Sequence, residues 1–128
     1  MKGRSSSKMK VFEPFKINQM ELKNRMVVSA MVTNYCSEDG MATEKFIAYH
    51  EHKAKGGWGL IITEDYAVTP TAGGFKKLPG LWEDGQIESH KELTRRIHEA
   101  GGKIRNRARF SMEIIENIKE KCGKDYPV

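Results

Sequence analysis

The amino-acid sequence predicts an α/β fold, with strands and helices alternating so that they build either a doubly wound sheet or a barrel. Two apolar runs without charge or proline, Met26-Val27-Val28-Ser29-Ala30-Met31-Val32 and Leu60-Ile61-Ile62, have the pattern of strands buried on both faces of a parallel sheet. Segments with apolar residues at helical spacing separate and follow them. A helix that ends on glycine and turns toward a strand recurs at Lys55-Gly56-Gly57, at Ala100-Gly101-Gly102 and at Cys122-Gly123.

The elements follow in order. Residues 1–10 carry Lys2, Arg4, Lys8 and Lys10 around a serine run and read as a flexible leader. Residues 15–22 alternate apolar and polar side chains around Asn18-Gln19, which predicts a small β-hairpin. Residues 26–32 form the first parallel strand, and Ser37-Glu38-Asp39-Gly40 a turn. Thr43 can cap a helix with Glu44 in its first turn and Phe46, Ile47, His50 and Ala54 on or near one face. Leu60-Ile61-Ile62 is the second strand, closed by polar Thr63-Glu64-Asp65. Residues 69–85 make a long loop rich in Gly and Pro, and long loops after strands often carry function. Ile87, Leu93 and Ile97 mark a second helix. Phe110, Ile114, Ile115, Ile118 and Cys122 mark a third, stopped by Gly123.

The middle glycine junction is irregular. Lys103-Ile104 opens a strand that stops after about two residues, and Arg105-Asn106-Arg107-Ala108-Arg109-Phe110 then begins another helix. This suggests a repeating βα protein with an internal piece missing. Such a cut leaves both apolar strands with unpaired edges and favours self-association.

The formal net charge is +5, from 22 Lys and Arg against 17 Asp and Glu. The excess lies in the leader and at Arg105, Arg107 and Arg109. It lacks the interleaved aromatics of a single-strand binder, so it reads as solvated surface and no nucleic-acid partner is expected. Cys36 and Cys122 have no metal-ligand spacing, which points to a reduced, cytoplasmic setting. No secretory signal and no membrane span is expected. His50 and His52 do not share a helix face, and His90 and His98 stand too far apart on theirs to chelate alone, so no metal is expected. Glu64 and Asp65 are neighbours on a strand and face opposite ways, so one of them is structural. Gly73-Gly74 lacks the rest of a phosphate loop.

Several short motifs, in order, resemble the old yellow enzyme family of FMN-dependent NADH:flavin oxidoreductases. They are Leu22-Lys23-Asn24-Arg25-Met26-Val27-Val28-Ser29-Ala30-Met31, Gly59-Leu60-Ile61-Ile62-Thr63-Glu64, Leu78-Pro79-Gly80-Leu81-Trp82 and Glu99-Ala100-Gly101-Gly102-Lys103-Ile104. Asn106-Arg107-Ala108-Arg109-Phe110 with Glu113-Ile114-Ile115 resembles a helix that comes much later in that family. The enoate and 2,4-dienoyl-CoA reductase branch is the most similar. The resemblance implies a partial TIM-type (β/α)8 barrel of about three βα units with an N-terminal hairpin. It divides the chain into the leader 1–10, an N-terminal barrel part 11–104 and a later barrel unit 105–128.

The resemblance also implies a chemistry: hydride passes from NAD(P)H through FMN to an activated C=C bond of a small unsaturated carbonyl compound. It assigns Ser29, Ala30, Met31 and Val32 to the flavin site at the end of the first strand, and Asp65 to the end of the second. Val32 stands where many members carry a Thr or Cys donor to the flavin, and Asp65 where they carry a small residue. The family's paired His, its Tyr acid, its flavin-contacting Gln and its phosphate-gripping late strands have no counterpart here, so catalytic residues are unknown. The alternative reading is a non-catalytic barrel remnant that self-associates or binds a partner.

Overall fold

A computed structural model of the chain describes residues 9–71 and 74–105. The expected third helix, the leader up to Lys8 and Gly73 lie outside the described residues. The chain opens with a 3-10 turn, Lys10–Phe12, followed by the expected hairpin, β1 (Phe15–Ile17) and β2 (Met20–Leu22). Ile17 pairs with Met20, so Asn18-Gln19 is a two-residue turn, and Asn18 takes the left-handed conformation it requires, with φ of 51°.

The main sheet has three parallel strands in the order β3 (Val27–Val28), β4 (Leu60–Ile62), β5 (Lys103–Arg105). Helix α1 (Glu44–Lys55) connects β3 to β4, and α2 (Ile87–Glu99) leads from β4 to β5. Val28 pairs with Ile61 and Ile61 with Ile104. Alternation along a strand sends these three side chains to one face, and there they meet the core of Phe46, Ile47, Ala54, Leu93 and Ile97. Burying each of the large apolar side chains in that core stabilises the fold by about 1.5–3 kcal/mol.

Local chemistry explains the helix boundaries. The Thr43 hydroxyl accepts the Phe46 N–H at 3.3 Å, and Glu44 complements the positive end of α1. Both helix–strand junctions turn through a glycine with positive φ, Gly57 at 96° and Gly101 at 74°. Asn24 then fixes the turn after α1 to the start of β3. Its Nδ2 donates to Gly57 O at 2.7 Å and its Oδ1 accepts the Met26 N–H at 3.0 Å.

Three expectations need correction. The first strand ends at Val28 rather than at Val32, and it is not buried on both faces: Val27 is 40% exposed and Met31 64% exposed. Among the described residues β3 pairs on one side only, so nothing holds its continuation in a ladder. The strand at Lys103 runs over three residues where about two were expected, and it pairs with β4 along all three. Consequently Leu60–Ile62 has no free edge; it is the central strand. Among the described residues the open edges belong to β3 and β5, and the sheet is a partial α/β layer that does not close into a barrel.

Candidate functional site

In a parallel α/β layer, ligands are met at the carboxyl ends of the strands. Here that end is formed by the segment after Val28 and by Thr63, Glu64 and Asp65 after β4. The register Val28↔Ile61 brings these two segments side by side. Ser29 is exposed, Ala30 half-buried, Met31 exposed and Val32 half-buried. All four lie beyond the ladder, so the segment presents backbone groups and the Met31 side chain at this end of the sheet. Asp65 is exposed here too.

Glu64 is the opposite case. It is fully buried, and the segment after β3 supplies its partners. The Thr33 N–H donates to Oε2, and the Thr33 hydroxyl donates to Oε1 at 3.0 Å. Burial pushes the Glu64 carboxyl above its ordinary pKa, offset in part by the donors of Thr33 and Asn34. The neighbouring pair thus divides as alternation requires, with Glu64 inward and Asp65 outward.

Cys36 is buried beneath this end, and burial together with the Glu64 charge pushes its thiol up to about 12. It is a thiol at neutral pH and no nucleophile. His50 is buried and His52 exposed, while His90 is buried and His98 exposed, so neither pair shares a surface. No group of three metal-ligating side chains occurs among the described residues.

The long loop after β4 is tied down by contacts that no local pattern announced. Ala67 bridges to Gly80, Gly80 N donates to Gly40 O at 2.9 Å, and Leu81 N donates to Ala67 O at 2.8 Å. Gln86 is fully buried and spans the two loops: its Oε1 accepts the Trp82 N–H at 3.0 Å, and its Nε2 donates to Asp39 O at 2.8 Å. His90 Nε2 lies 3.3 Å from Gly40 O. Thr33, Gln86 and His90 were therefore missed as organisers of this end. The available signal was chemical: a carboxylate directly behind an apolar strand needs donors if it is buried.

Comparison with known proteins bears on the family and the fold. Residues 10–105 match the sequence model of the NADH:flavin oxidoreductase / NADH oxidase family. The NADPH dehydrogenase of Bacillus subtilis (strain 168) is 40% identical over 96 residues, covering 74% of this chain and 28% of that protein. The bilirubin reductase of Mediterraneibacter gnavus (strain CC55_001C) is 34% identical over 96 residues, covering 75% of this chain and 14% of that protein. The old yellow enzyme from Pichia sp. AKU4542 superposes with a TM-score of 0.70 at 30% identity, over 76% of this chain and 25% of that one. A 2-naphthoyl-CoA reductase in complex with 2-naphthoyl-CoA superposes with a TM-score of 0.73 at 28% identity, over 76% of this chain and 15% of that one. The chain thus spans between 14% and 28% of the length of these two curated relatives. No helix among the described residues is long and apolar enough to cross a membrane. On the match over residues 10–105, the chain belongs to the NADH:flavin oxidoreductase / NADH oxidase family.

Proposed function

We propose that this chain forms part of the FMN site of an NAD(P)H-dependent oxidoreductase that reduces an activated C=C bond of a small unsaturated carbonyl compound. The observation that supports it best is the end of β3. Ser29, Ala30 and Met31 leave the ladder at the carboxyl edge of a parallel sheet, with Ser29 and Met31 exposed there. Backbone N–H and C=O groups there suit the polar rim of a flavin ring, and Met31 suits its apolar face. Val32 brings no side-chain donor, and Asp65 places a negative charge at the same end. FMN, when bound, supplies the hydride chemistry. The residues of this chain orient the ring and set the charge around it. The setting is cytoplasmic, and the substrate lies in the enoate or enone class.

The test is titration of the 128-residue chain with FMN, followed by flavin absorption and by backbone amide NMR. A shift of the Ser29, Ala30 and Met31 amides is expected, saturating only above about 1 μM because the chain carries a small part of a family member. Absence of any shift at these residues at millimolar FMN rejects the reading.

A second reading is an association module, supported by the open edges of β3 and β5. It predicts concentration-dependent mass without any response to flavin.

A further inference from the structure

Burying a carboxylate is costly unless donors surround it. At Glu64 the donors come from consecutive residues of one segment: the N–H and hydroxyl of Thr33 and the N–H of Asn34. An apolar side chain would fill this space without the cost. It would not hold two successive peptide groups in one arrangement. That arrangement is an unusual one, because Asn34 has a φ of 56°, in the left-handed region that side chains rarely adopt. The hold continues outward: Tyr35 N donates to Thr33 Oγ1 at 3.3 Å, and the Thr43 hydroxyl donates to Tyr35 O. The β3 ladder ends at Val28, so between Val28 and Thr33 the chain spans from one anchor to the other.

We infer that Glu64 is a positioning residue: its carboxylate latches Thr33 and Asn34 to the end of the central strand and thereby sets the path of Ser29, Ala30, Met31 and Val32. The inference rests on the flavin reading of that segment. The latch stands in for the strand pairing that β3 no longer makes. A charged acceptor suits this task because its two oxygens accept several N–H and O–H donors at once. An amide in its place keeps one acceptor and turns the other into a donor, so it cannot accept from the Thr33 and Asn34 N–H groups and the Thr33 hydroxyl together as two charged oxygens do.

The experiment compares the full chain with Glu64→Gln and Glu64→Asp by backbone amide exchange, with and without millimolar FMN. In Glu64→Gln the Thr33 and Asn34 amides exchange about tenfold to a hundredfold faster, the size expected for losing a bond to a charged acceptor. The Ser29, Ala30, Met31 and Val32 resonances move, while Ile61 and Leu93 keep their protection. Glu64→Asp, with its charge intact and its reach shorter, falls between. If Glu64→Gln loses protection at Ile61 as well, Glu64→Asp gives the reading in a folded protein. Unchanged Thr33 and Asn34 exchange in the folded variants overturns the latch. An FMN response equal in wild type and Glu64→Gln overturns the positioning role. No FMN response in wild type sinks the flavin reading, and the exchange rates still decide the latch.

Discussion

Arg96 of α2 grips Glu44 of α1 with one nitrogen, Nη1 lying 2.8 Å from Oε1 and 2.7 Å from Oε2. Its other terminal nitrogen donates to Glu51, two turns further along the same face of α1. The two helices are therefore joined outside the apolar core by a guanidinium shared between two carboxylates. Glu51 also meets Lys55 at 2.8 Å, and these partners hold its carboxyl down at about 2, with the Arg96 bond the larger cause. A depressed carboxylate stabilises the fold above its ordinary pKa, and that contribution is lost as pH falls through the folded value. Arg96→Ala is expected to lower the melting temperature by a few degrees at neutral pH. The difference shrinks at high salt, because partly exposed charges are screened. Thermal unfolding at low and high ionic strength checks both statements.

His50 gives a second pH dependence in a different window. It is buried between the rings of Phe46 and Tyr49, and neither ring nitrogen has a hydrogen-bond partner among the described residues. Burial, with Lys53 nearby, lowers its pKa from 6.5 to about 4. The folded state therefore disfavours the protonated ring. Above pH 6.5 His50 is neutral in both states and costs nothing by titration. As pH falls from 6.5 toward 4, the unfolded chain takes up the proton first and stability drops by about 3 kcal/mol. His50→Leu should remove this loss, so the two proteins diverge as pH falls through that window. Denaturant melts at pH 7, 5.5 and 4.5 measure it, and parallel curves would refute it.

These effects show how unevenly the fold is written in local sequence. Thr43, Glu44 and the Phe46, Ile47, His50, Ala54 face are set by capping and periodicity, which act within a few residues, and α1 is as expected. The Asn18-Gln19 turn is equally local. The apolar run extends four residues past the end of the first strand, because such a run records burial potential and not whether a partner strand is present. Its true end depends on β4, and its continuation depends on Glu64, 31 residues away from Thr33. The Gln86 clasp is likewise long-range, 47 residues from Asp39. A buried Gln has no periodic signature.

The clasp can be tested through Gly40. Its φ is 78°, and a Cβ there would come within 2.7 Å of the Trp82 ring and 2.8 Å of Gln86 Nε2. The left-handed conformation alone costs a substituted residue about 1–2 kcal/mol, and the overlap adds about 1–3 kcal/mol. Gly40→Ala should therefore destabilise the chain by about 2–5 kcal/mol, a sum of these two costs. Gly57 also has a positive φ, but a Cβ there meets nothing within 4 Å, so Gly57→Ala isolates the conformational part. Urea unfolding of both variants separates strain from overlap. Equal losses would show that Trp82, Gln86 and the Gly80 backbone, whose Cα also lies 2.8 Å from such a Cβ, give way without cost.

The last prediction concerns the open edges. Among the described residues, β3 and β5 each pair on one side only, and β3 exposes Val27. An unpaired strand edge offers N–H and C=O groups to another chain unless charge or proline blunts it, and β3 carries neither. The two edges are not equivalent: β5 carries Lys103, which is exposed, whereas β3 is bare valine. The β3 edge can meet the β5 edge of another copy, a head-to-tail contact that is free to repeat, or run antiparallel to β3 of another copy across a two-fold axis. Association should therefore grow with concentration. Val27→Lys blunts the β3 edge at an already exposed position, so it should reduce association with little loss of fold. Sedimentation velocity across a range of concentrations, with circular dichroism on both proteins, tests the claim. A wild-type chain that stays monomeric at every concentration would refute the claim.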